Sequence, residues 1–107
     1  MRAALRPPLF APASGARLRS PRSILFAWEV VPEASYYNFQ LWLDGERVFS
    51  AWPSFPRARL VAPWVFTGLT RYLRAGRYTW YVWPGRGSRS LGAYRPLLGS
   101  SAFVVTR

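Results

Sequence analysis

The sequence predicts an all-β, antiparallel sandwich, and three observations lead there. Short segments of period-2 alternation recur along the chain, Pro and Gly punctuate them at regular intervals, and no helix-period segment is long enough to compete. With 107 residues, of which 50% are hydrophobic and 18% aromatic, the chain fits one domain and carries enough apolar material for a core without a metal or a disulfide.

The elements follow in order. Residues 1–22 are rich in Arg, Ala, Pro and Ser and contain no acid, which superficially matches a targeting segment. Pro7, Pro8 and Pro12 break both an amphipathic helix and a secretory h-region, and Leu9-Phe10-Ala11 is too short for such a region. No apolar run approaches the roughly 18 residues of a membrane span, so no membrane insertion is expected and no export signal is visible.

The first convincing strand is 24–30, ended by Pro32, and the second is 36–43. Asp44-Gly45 closes a hairpin, because a type I′ turn needs positive φ at both central residues, and 47–52 returns. Pro53 and Pro56 terminate that strand, and 57–61 forms another short one. Pro63-Trp64-Val65-Phe66-Thr67-Gly68 reads as a short helical turn, with a buried loop as the alternative. Residues 67–73 lead into an Ala75-Gly76 corner, 78–83 is a long aromatic strand, 84–92 is a loop rich in Gly, Ser and Arg, and 101–106 closes the fold.

Three pieces of this pattern resemble the fibronectin type III family in its divergent bacterial form. The Pro-rich opening, Pro7-Pro8-Leu9 through Pro12-Ala13-Ser14-Gly15-Ala16, resembles the first-strand segment of such modules. Phe26-Ala27-Trp28 followed by Ala34-Ser35-Tyr36-Tyr37-Asn38-Phe39-Gln40-Leu41 is similar to the family's B-strand Trp and its Ala-x-x-Tyr entry to the next strand. Leu73-Arg74-Ala75-Gly76-Arg77-Tyr78-Thr79-Trp80-Tyr81-Val82 resembles the Leu-x-Pro-Gly-x-x-Tyr-x-x-x-Val signature, with Ala75 where Pro is usual and a shorter Gly-to-Tyr spacing. The resemblance covers essentially the whole chain, in the right order. It implies one immunoglobulin-like sandwich of about seven strands over residues 1–107, with 1–20 as a loosely attached or exchangeable first-strand segment, and an extracellular or cell-surface setting. No Arg-Gly-Asp tripeptide is present, so it carries no integrin-binding claim.

The resemblance also turns Trp28 inward, and alternation then assigns the other faces. Ile24 and Phe26 join Trp28 in the core, together with Tyr37, Phe39, Leu41 and Leu43, then Tyr78, Trp80, Val82, Phe103 and Val105. Tyr78 is the expected corner tyrosine, its ring buried and its hydroxyl bonded to backbone. The opposite parity sends Tyr36, Asn38, Gln40 and Trp42 outward on one strand and Tyr81 and Trp83 on its neighbour. Soluble monomers seldom display such a patch, so Tyr36, Gln40, Trp42, Tyr81 and Trp83 form the candidate protein interface. The alternative is that Arg stems or the loop 84–96 fold over these rings.

Composition closes several chemistries. Neither Cys nor His occurs, which removes disulfides, thiolate and imidazole metal sites and Ser-His or Cys-His nucleophiles. Glu29, Glu33, Asp44 and Glu46 are the only acids, and their placement at a turn and a strand end suits neither a paired-carboxylate hydrolase nor a calcium site. No catalysis, metal or cofactor is expected. The formal charge is +11, and every basic residue is Arg. A selected anion-binding surface and the bias of a GC-rich genome both account for that excess. Arg86, Arg89 and Arg95, in and beside a Gly-Arg-Gly-Ser-Arg-Ser loop, are the anion-contact candidates, since such a loop lets backbone N–H groups approach a phosphate or sulfate.

Three functions remain open on these grounds. The first is a structural or protein-interaction module that packs on copies of itself or on another protein through the aromatic face and the edge strands. The second is an Arg-rich binder of an anionic polymer, nucleic acid or acidic polysaccharide. The third is a carbohydrate-binding module using Trp52, Trp64 or Trp42 as platforms, against which stands Trp beside Pro plugging the end of a sandwich.

Overall fold

The computed structural model describes residues 7–107, in which alternation and turn chemistry build ten strands. These are β1 Leu9–Ala11, β2 Ala16–Arg19, β3 Ser23–Trp28, β4 Tyr36–Leu43, β5 Glu46–Ala51, β6 Arg57–Val61, β7 Trp64–Phe66, β8 Leu69–Arg71, β9 Gly76–Gly85 and β10 Gly99–Thr106. A three-stranded sheet has the order β1-β3-β6, a five-stranded sheet β2-β10-β9-β4-β5, and β7-β8 is a separate hairpin. The described part of the Pro-rich opening pairs with both layers: β1 runs antiparallel to β3, and β2 parallel to β10. Residues 1–6 of that segment lie outside the described residues.

The two larger sheets share one aromatic core. Phe26 of the small sheet meets Phe39, Trp80 and Phe103 of the large one at ring-centroid distances of 4.7, 5.1 and 5.9 Å, and Trp28 stacks on Phe39 at 5.8 Å. Such pairs add about 0.5–1.5 kcal/mol each beyond the area they bury. All twelve side chains that alternation assigns to the interior are buried, with Leu9, Val48 and Leu60 beside them. Tyr37 is pinned as well as buried: its hydroxyl accepts the Val31 N–H at 2.9 Å and fixes the β3–β4 connection. At the far corner the Tyr78 ring stacks on Phe103, and its hydroxyl donates to the Arg74 carbonyl at 2.7 Å.

Two local expectations are corrected. Residues 63–68 form no helical turn: β7 and β8 make a hairpin whose turn residues Thr67 and Gly68 have φ of 53° and 79°. A β-branched Thr in the left-handed region is disfavoured, so Thr67-Gly68 gives no hairpin signal of the Asp-Gly kind. Local bonds hold it there, with Thr67 Oγ1 donating to the Phe66 carbonyl at 2.6 Å and accepting from Arg71 Nη2 at 3.1 Å. The strand count also exceeds the expected seven, because the opening splits into β1 and β2 and this hairpin is added.

Candidate interaction face and the arginine clusters

The outer face of the five-stranded sheet follows from register. On β4 and β9, Asn38 lies opposite Trp83, Gln40 opposite Tyr81, and Trp42 opposite Thr79, so these side chains share the side facing away from the core. Trp42 meets Tyr81 edge-on at 6.5 Å, and Tyr81 stacks on Trp83 at 5.9 Å. Trp42 Nε1 donates to Gln40 Oε1 at 3.0 Å, which orients the indole along its own strand. All four side chains are half-buried, and with Leu97 they line an apolar cleft of about 230 Å³. The structure therefore brings together Gln40, Trp42, Tyr81 and Trp83.

Tyr36 is the exception and is removed from the accessible set. It has the outward parity, but only 5% of it is exposed. The segment after Gly85 folds back over it, fixed by N–H bonds from Arg95 to the Pro84 carbonyl and from Leu98 to the Val82 carbonyl, both at 2.8 Å. Tyr94 then lies edge-on to Tyr36 at 5.7 Å. Burial and the neighbouring Tyr94 hydroxyl push the Tyr36 phenol above its ordinary value, while Arg89 pulls the other way. The folding-over expected as the alternative thus covers the Tyr36 end of the face and leaves the Trp42 end half-exposed.

Two of the three loop arginines have separate partners. The Arg89 guanidinium lies 4.2 Å from the Trp52 ring centroid, Arg95 pairs with Glu33 at 3.6 Å, and Arg86 enters no ion pair among the described residues. Many of the loop's backbone donors are already engaged. The N–H groups of Arg86, Leu91, Gly92, Tyr94 and Arg95 bond to backbone carbonyls, and that of Gly87 bonds to Ser35 Oγ. Sequence gave no sign of this, because a Gly/Ser-rich loop reads as flexible until its partners across the fold are known.

Register puts different arginines on the aromatic face. Arg77 precedes Thr79 on β9 with the same parity and lies opposite Val104, which in turn lies beside Arg17, and Arg19 follows on β2. All three are exposed. Two of the three Trp residues offered as sugar platforms are engaged elsewhere. Trp52 lies under Arg89 and donates to the Tyr94 hydroxyl at 3.2 Å, and Trp64 donates to the Val48 carbonyl at 2.8 Å while meeting Phe49 edge-on. Of the acids, Glu46 pairs with Arg71 at 3.1 Å and Asp44 sits in the β4–β5 turn at φ 52°. Among the described residues no group of three His, Cys, Asp or Glu comes together, and no helix is long and apolar enough to cross a membrane. Compared with family models, curated proteins and solved structures, the chain matches none.

Proposed function

We propose that this chain is a non-catalytic protein-interaction module, a fibronectin type III-like sandwich that packs its aromatic sheet face against a second copy of itself. One observation carries the reading: Trp42, Tyr81 and Trp83 form a contiguous, half-exposed ring cluster on the solvent side of the large sheet. The family assignment is supported by the order β1-β3-β6 facing β2-β10-β9-β4-β5 and by the Tyr78 hydroxyl bonded to the Arg74 carbonyl. On that reading the module belongs to an extracellular or surface assembly of a bacterium.

Sedimentation across concentration and salt tests it. Copies carrying +11 repel one another, so self-association through apolar rings strengthens as salt screens that charge, and it disappears in Trp42→Ser/Trp83→Ser. A chain that stays monomeric at high concentration in high salt overturns the proposal. The interface expected is above about 1,000 Å².

Arg17, Arg19 and Arg77 on the same face favour a second reading, an anionic polymer lying across the rings. Its salt dependence has the opposite sign: retention on DNA, RNA or heparin weakens steeply with salt. Loss of retention in Arg17→Gln/Arg19→Gln/Arg77→Gln with monomer behaviour unchanged would identify this second function.

A further inference from the structure

We propose that the end of the sandwich opposite the 86–98 loop is a binding cleft for a phosphate or sulfate ester, held by Arg22, Arg74 and Arg107. These arginines are far apart in the chain, yet all three line one cleft of about 370 Å³, together with Ser20, Tyr72 and Thr106. That volume is within the range of small-ligand sites and exceeds a bare inorganic anion. Among the described residues no Asp or Glu side chain lines the cleft, and none of the three arginines enters an ion pair. Three like charges around one concavity repel, and a tetrahedral dianion relieves that repulsion while accepting paired N–H bonds from guanidinium groups.

The backbone around the cleft is fixed, which separates this site from a scatter of surface arginines. The Arg22 carbonyl accepts the Ala62 N–H at 3.0 Å, and the Arg74 carbonyl accepts the buried Tyr78 hydroxyl at 2.7 Å. Beside Arg107, the Thr106 carbonyl accepts the Ser20 N–H at 2.7 Å. The backbones of Arg22 and Arg74 are therefore held by bonds to distant or buried groups and Arg107 follows a bonded Thr106, so less ordering remains to be done when the anion arrives. The Ser20 and Thr106 hydroxyls and the Tyr72 phenol supply neutral polar groups on the same walls. The inference does not depend on the aromatic face, whose residues are not among those lining this cleft.

The test is a titration of the chain with inorganic phosphate, inorganic sulfate and glucose 6-phosphate, followed by amide NMR shifts, with NaCl at matched ionic strength as the reference. The expected result is saturable shifts confined to Ser20, Arg22, Arg74 and Thr106, tighter binding of the sugar ester than of the inorganic anions, and at least about tenfold weaker binding in Arg22→Gln/Arg74→Gln/Arg107→Gln. Arg22→Gln/Arg107→Gln leaves the Tyr78 corner untouched and is expected to weaken binding as well. Arg57→Gln/Arg59→Gln/Arg86→Gln removes the same charge elsewhere and is expected to bind like the parent chain. Shifts that do not saturate, that match those from NaCl, or that fall equally in the two triple variants overturn the site.

Discussion

At the Tyr78 hydroxyl, burial and a backbone acceptor act on the same group. Burial is the larger effect and pushes the phenol above its ordinary value of about 10, and the Arg74 charge partly opposes it. The unfolded chain loses this proton near the ordinary value, whereas the folded chain keeps it to higher pH. The resulting stability is therefore complete below about pH 10 and is lost as pH rises through the folded value. Tyr36 shifts in the same direction. Tyr36→Phe/Tyr78→Phe is expected to flatten the alkaline fall in urea midpoint, and a fall as steep as the parent's would refute this. At neutral pH, Tyr78→Phe alone is expected to cost about 1 kcal/mol, because the part-buried bond to the Arg74 carbonyl is lost. Gly85 is a second test at this scale. A Cβ there would fall 2.6 Å from Tyr36 Cε2, so Gly85→Ala is expected to lower stability by about 1–3 kcal/mol and to free the Tyr36 ring from under Tyr94. Unchanged thermal unfolding would show that the segment over Tyr36 yields easily.

Among the elements, the β7–β8 hairpin is the one that sequence misread. Nothing lies within 4 Å of a Cβ built on Gly68, yet its φ is 79°, so Gly68→Ala has no steric neighbour to displace and pays only for the left-handed backbone. The expected loss is about 1–2 kcal/mol, read as a lower urea midpoint at constant slope. A neutral substitution would mean that the turn relaxes to another type. The β4–β5 turn, by contrast, was legible. Asp44-Gly45 is a sequence signal for the backbone that it adopts, with φ of 52° and 78°. The difference lies in chemistry: Asp tolerates the left-handed region through local bonding, whereas Thr67 is held there by contacts with Phe66 and Arg71 that no local pattern announces.

For the whole molecule, charge works against compaction. Fifteen basic residues face four acids, and the ion pairs found among the described residues, Arg71–Glu46 and Arg95–Glu33, both involve exposed or partly exposed side chains. Net repulsion rather than ion pairing then governs the salt response, so the thermal midpoint is expected to rise between about 10 and 150 mM NaCl. A midpoint that falls with salt would mean that surface ion pairing outweighs the repulsion. The gain from salt is also expected to be smaller in Arg57→Gln/Arg59→Gln, which lowers the charge without touching the core.

With Trp28 turned inward, alternation determined the interior. Trp28, Phe39, Trp80 and their partners are buried where period 2 places them, because a strand offers each side chain only two directions and the apolar set fills one. The Trp42, Tyr81 and Trp83 face was legible for the same reason. What folds over that face, and which arginines meet, depended on contacts between distant parts of the chain. The Arg95–Pro84 and Leu98–Val82 bonds close a segment over Tyr36, and Arg22, Arg74 and Arg107, which flank β3, β9 and β10, line one cleft only once the two sheets are assembled. Periodicity carries direction but no long-range distance, so only the tertiary structure decided those positions.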